Sequence, residues 1–179
     1  MLKIVIPSIE LFDEKTNEFK STKEHTLCLE HSLVSLSKWE SKWQKPFLKK
    51  EDKSVKETID YIKCMTITQN IDDEVYEYIT NDNINQVKKY IEHEMTATTF
   101  SNQKKTINKE TITAEIIYYW MIALNIPFDC QKWHLNRLLT LINVCNIKNS
   151  PSKPIGKKET MSRNAALNAA RKKELRTKG

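Results

Sequence analysis

The sequence predicts a mainly α fold (α+β): a compact helical domain with a small N-terminal β element, a buried helical hairpin and a basic helical tail. Three observations carry that reading. Leu29, Leu33, Leu36, Trp39 and Trp43 recur at helical spacing. Residues 112–145 hold the densest apolar content of the chain. Residues 150–157 are rich in Ser, Pro and Lys, and residues 159–176 are rich in Ala, Leu, Lys and Arg, all strong helix formers. The organisation read from this is a globular domain over 1–149, a linker over 150–157 and a tail over 158–179.

Taken in order, residues 2–6 read as a short strand. Residues 9–12 and 18–20 read as two more extended pieces joined by a polar turn over 13–17. The helical period starts at Leu27 and ends at Pro46. Ser54 and Glu57 have capping-box spacing, opening a helix with Val55, Ile59, Ile62 and Met65 on one face. Asp72 or Asp73 caps a short helix reaching Ile79, and residues 81–83 cap another with Ile84, Val87 and Ile91 inward. Residues 95–109 read as a polar loop.

From Glu110 the apolar residues Ile112, Ile116, Ile117, Tyr119, Trp120, Ala123 and Leu124 fall almost all round a helix, which predicts burial. Asn125, Ile126 and Pro127 turn the chain into a second helix carrying Trp133, Leu135, Leu138, Leu139, Leu141, Ile142 and Cys145. A short turn predicts an antiparallel hairpin. Burying roughly a dozen large side chains at about 1.5–3 kcal/mol each would make it the main source of stability.

Composition narrows function. Residues 150–179 hold nine basic and two acidic residues, against twenty and twenty-one before them. A nearly neutral body with a cationic extension is a partner-binding layout. The only glycines are Gly156 and Gly179, so the body lacks the loops that cradle phosphates, and nucleotide-binding folds built on them are excluded. The longest apolar stretch, 116–128, is too short for a membrane helix, and the N-terminus has no signal-peptide pattern. The expectation is a protein that stays where it is made. Cys28, Cys64, Cys130 and Cys145 are scattered and read as reduced thiols.

No constellation argues for chemistry. Cys130 and His134 are four apart and expected on one helix face, yet two ligands do not make a zinc site. No Gly-flanked nucleophile stands out. Asp72, Asp73 and Glu74 are explained as an acidic first helical turn. No catalytic, cofactor or metal residue is assigned. Arg137 is expected to form an ion pair with Glu115 or Asp129. Trp39, Trp43 and Phe47 read either as core or as an aromatic groove for a partner, where Trp is a frequent anchor. In the tail, Arg163, Arg171, Lys172, Lys173 and Arg176 are the contact candidates. They could neutralise phosphates, but the tail has no aromatic for base stacking, and its alanines favour a protein partner.

Several segments resemble tail assembly chaperones of long, non-contractile-tailed bacteriophages. They are His31 through Trp43 with Pro46-Phe47, Met95 through Ser101, Ile112 through Asn149 and Arg163 through Arg171. The resemblance spans nearly the whole chain. It implies a non-enzymatic helper, made in the bacterial host cytoplasm and absent from the mature virion. Such a helper coats the tape measure protein, keeps its apolar helices from aggregating and recruits tail tube subunits. In that family a longer version often arises by ribosomal frameshifting, and no catalytic or ligand residue carries over. Self-association fits the same layout. The rival readings are a structural tail or connector subunit and a nucleic-acid-binding protein acting through its tail.

Overall fold

The computed structural model describes all residues except 9, 14–17, 22, 50, 101–110, 150–156 and 176–179. The chain divides into two units, Met1–Asn146 and Ile147–Gly179, each described by itself. The elements are β1 (Leu2–Ile6), β2 (Glu10–Asp13), β3 (Glu18–Ser21), β4 (His25–Leu29), α1 (Leu33–Trp43), α2 (Val55–Met65), α3 (Asn81–Glu92), α4 (Ala114–Ala123), α5 (Leu135–Asn149) and α6 (Lys157–Leu175). Two 3₁₀ turns, Asp73–Tyr78 and Phe128–Lys132, lie between them. The fold is mainly α, with a small N-terminal β part.

That β part is two antiparallel pairs. β2 and β3 pair from Glu10↔Ser21 to Asp13↔Glu18, and the turn expected between them lies largely outside the described residues. β1 pairs with β4 from Leu2↔Leu29 to Ile6↔His25. Ile4, Ile6, Leu27 and Leu29 all face inward, as the two-residue period of a half-buried strand requires. This corrects the helical start expected at Leu27. Leu27 and Leu29 belong to a strand, and the helix starts six residues later at Leu33. The strand exists because β1 offers it a partner, a long-range effect that local spacing does not register.

Both edges of this sheet are covered. α3 lies against β1, and Asn83 Nδ2 donates to the Val5 carbonyl at 3.2 Å. On the far side of β4, Glu30 N–H donates to Met65 O at 2.9 Å and Ile67 N–H to Cys28 O at 2.8 Å. Covered edges remove the template for strand-to-strand aggregation.

α1 is the hub of the first unit. Ser32 caps it in a reciprocal box with Ser35, and Gln44 closes it in a left-handed conformation. Its Leu33, Leu36, Trp39 and Glu40 are buried, and α2 and α4 both pack against it. α2 opens with the Ser54–Glu57 capping box that the spacing predicts. Its inward face is rotated from expectation. Tyr61, Ile62 and Met65 are buried together with Glu57 and Asp60, while Val55 is exposed. The two buried carboxylates are paired with α1 and the chain just after it: Lys42 reaches Asp60 at 2.8 Å and Lys45 reaches Glu57 at 2.9 Å. The hydrogen bond from Lys45, then those from Ser54, hold the Glu57 carboxyl down to about 2.

The Asp73–Tyr78 turn stands where a short helix is expected, but Asp72 makes no side-chain cap bond. α3 is capped by Thr80 with Asn83 as its reciprocal partner, one residue earlier than the predicted cap. Asn83, Val87 and Tyr90 are its buried residues, and Ile84 and Ile91 pack at the margin.

The predicted buried hairpin is corrected as well. α4 buries only Ala114, Ile117 and Met121. It lies most closely against α1 rather than α5. Residues 124–134 are too structured to act as a tight turn. Asn125 is left-handed (φ 53°), and a full 3₁₀ turn comes after it. The side chains that are buried most completely come from β1, β4 and α1 as well as from α4 and α5, which supply Ala114, Ile117, Met121, Leu135 and Leu138, joined by Ile62 and Met65 of α2.

Candidate partner-binding surfaces

Trp39 and Phe47, read from sequence as core or groove, are core. Trp39 is 1% exposed and its indole N–H donates to the Glu57 carbonyl at 2.9 Å. Phe47 sits edge-on to Trp39 at 5.1 Å and stacks on Tyr61 at 3.9 Å. Trp43 shares the face of Trp39 as its spacing predicts, stacked at 6.1 Å and half-buried under Lys45. These rings are held by α1, α2 and the loop between them, so as partner contacts Trp39 and Phe47 are withdrawn: they already spend their apolar surface on the fold. A groove of about 270 Å³ does reach one edge of Phe47, floored by Ile62, Ile84, Val87 and Ile91, but Lys53 lies over that ring at 4.4 Å.

Glu40 is the residue that sequence reasoning passes over. It is buried on α1, and its carboxylate accepts two backbone N–H groups: Phe47 at Oε1 and Ala114 at Oε2, each at 2.7 Å. Thr113, at the N-cap of α4, makes no side-chain cap bond. Glu40 therefore caps α4 from another helix, placing a negative charge where the helix dipole favours it. The only local signal is an acidic residue inside an apolar stripe.

With α4 fixed this way, its other face points outward. Tyr119 is 66% and Ile122 61% exposed, four and seven residues on from exposed Glu115, and Ala123 extends the stripe. Phe128 is 54% exposed, with its ring 6.4 Å from that of Tyr118. An exposed apolar stripe of this kind is a candidate interaction surface. The uncharged run 116–128 reads alike for a buried helix and for a helix with one face free. The register of Ala114, Ile117 and Met121 decides for the second.

α6 is the second surface. Its described side chains from Met161 to Leu175 are all exposed, including Arg171, Lys172 and Lys173. The side chain of Arg163 and the whole of Arg176 lie outside the described residues. At about 100° per residue, Arg171, Lys172 and Lys173 point three ways, so the positive charge wraps the helix. Met161, Leu167 and Leu175 are exposed but do not form one stripe, since Leu167 lies about 120° from Met161. Such a helix suits an acidic partner approached from many directions better than a single shaped groove.

The remaining candidates resolve as structure. Arg137 forms no ion pair with Glu115 or Asp129 among the described residues. It is exposed, with its guanidinium 4.2 Å from the Trp133 ring, because α5 turns it to the surface rather than into a hairpin. Cys130 sits in the 3₁₀ turn and His134 just before α5, so the two do not share a helix face. His134 Nε2 donates to the Tyr90 carbonyl at 3.0 Å. All four cysteines are free thiols. Among the described residues no group of three or more His, Cys, Asp or Glu is placed to hold a metal, and no helix is long and apolar enough to cross a membrane. Compared with protein-family models, curated proteins and solved structures, the chain matches none.

Proposed function

We propose that this chain is a non-enzymatic tail assembly chaperone that binds a phage tape measure protein in the host cytoplasm and leaves before the virion matures. The observation that carries the reading is a pair of exposed surfaces of different chemistry: the apolar stripe Tyr119–Ile122–Ala123 with Phe128, and the cationic helix α6. An apolar, helical partner with carboxylates along it would engage both. Many weak contacts along an extended partner add up through effective concentration, without a deep pocket. Recruitment of tail tube subunits belongs to the same proposal. The residues of the resemblance support it too, since the longest matching run contains the whole α4 stripe.

The test is a pull-down of the tape measure protein by three forms of the chain. The full chain is expected to retain it. Removing residues 150–179 should abolish retention while far-UV circular dichroism and melting of the first unit stay unchanged. Ile122→Lys, at an exposed position, should weaken retention at least tenfold with stability within about 0.5 kcal/mol of the parent. Retention unaffected by both changes overturns the proposal. Salt-sensitive binding of DNA or RNA that vanishes with the tail would favour the nucleic-acid reading instead.

A further inference from the structure

Two imidazoles that neither surface uses lie where β4 runs into α1 and α5 begins. His31 and His134 are 1% and 6% exposed, with ring centroids 5.1 Å apart. Their backbones are joined as well. Leu135 N–H donates to the His31 carbonyl at 2.7 Å, and Ser32 bridges His134. His31 Nδ1 shares a 2.5 Å hydrogen bond with the Tyr61 hydroxyl on α2, and His134 meets the Tyr90 ring on α3 edge-on at 4.9 Å. One seam thus gathers α1, α2, α3 and the start of α5.

The tautomer of His134 is set by its partner. A carbonyl only accepts, so Nε2 carries the proton toward Tyr90 O. Nδ1 is then a bare lone pair, buried and without a partner. A second proton would arrive there with no acceptor to meet it. His31 is worse placed for charge, since its neighbours are the Tyr61 hydroxyl, the Phe47 ring at 6.4 Å and the other imidazole. The charged groups nearby are few. Glu30 favours a cation at His134, while the Met1 amine and His93 oppose it. Glu40 and Cys64 act on Tyr61. Burial, then His134, pushes His31 down to about 3, and burial lowers His134.

We infer that His31 and His134 form an acid-sensitive latch: both rings are neutral when the seam is closed, and a proton on either opens it between His31 and the start of α5. The closed seam binds fewer protons than the opened chain between the ordinary histidine value of about 6.5 and the lowered value of His31, so stability rises with pH across that window. The latch is closed above about pH 6.5, and well below that each unit of acidification shifts the equilibrium toward opening about tenfold for each ring that is neutral when closed, up to about a hundredfold for the two together.

The test is amide exchange on the full chain from about pH 7.5 to pH 5, corrected for intrinsic rates. Protection of the Leu135 amide is expected to fall at least about tenfold per unit well below pH 6.5. The Ile117 amide, bonded to Thr113 O in α4, should hold steady. His31→Gln should make the Leu135 profile shallower, leaving the His134 contribution, and His31→Gln combined with His134→Gln should flatten it. As a second readout in the parent chain, the His31 Cε1–H resonance of the closed form should keep its neutral shift at pH 5. A flat Leu135 profile, Leu135 and Ile117 falling together, or a His31 resonance titrating near pH 6.5 in the closed form would each overturn the latch.

Discussion

Glu40→Ala is expected to lower the free energy of unfolding by about 4 kcal/mol in urea denaturation. The carboxylate is buried and receives the backbone N–H groups of Phe47 and Ala114. Removing it leaves two enclosed donors without an acceptor, each costing about 1–3 kcal/mol, and takes a favourable charge away from the start of α4. Glu40→Gln retains one carbonyl acceptor and should lose about half as much. The ordering, alanine worse than glutamine, separates loss of the clamp from mere loss of charge. If both variants unfold at the parent's midpoint, Glu40 does not hold α4.

Trp39→Ala should destabilise by a similar amount, about 4 kcal/mol, because it empties the centre of the ring cluster. Trp43 stacks on that indole and Phe47 meets it edge-on, so neither can close the gap without leaving its own partners. Trp39→Phe keeps much of the volume but leaves the Glu57 carbonyl without its donor. An intermediate loss of about 2 kcal/mol is expected there. Tyr119→Ala is the contrast: another large aromatic, on α4 and 66% exposed, whose truncation should change stability by less than about 0.5 kcal/mol. Thermal melts of the three variants measured together check the assignment. Equal losses at Trp39 and Tyr119 would mean that the inner and outer faces have been exchanged.

That contrast marks what the residues reveal on their own. The mainly α class, the Ser54 capping box, the strand over 2–6 and the helical tail are local signals, and each is found in the fold. β4 is hidden because Leu27 and Leu29 continue smoothly into the helical series of Leu33 and Leu36. Only pairing with Leu2 and Ile4 makes them a strand. The burial of α4 is illegible for a related reason. An uncharged sequence sets no register, and it is Glu40, over seventy residues earlier in the chain, that fixes which face turns inward. The exposed stripe at Tyr119 and Ile122 is the face opposite Ala114, Ile117 and Met121, which pack into the core beside that contact. The cationic tail is legible from charge alone, whereas the interior location of Trp39 and Phe47 depends on α2, whose Tyr61 stacks on Phe47 and whose Glu57 carbonyl accepts the Trp39 indole N–H.

The proposed role is to hold an extended apolar partner in solution. Co-expression with the tape measure protein encoded in the same genome tests it most directly, by the fraction of that protein in the soluble lysate and its co-purification with the chain. A soluble complex is expected, with the tape measure protein insoluble when expressed by itself. A tape measure protein that stays insoluble while the chain runs free would contradict it.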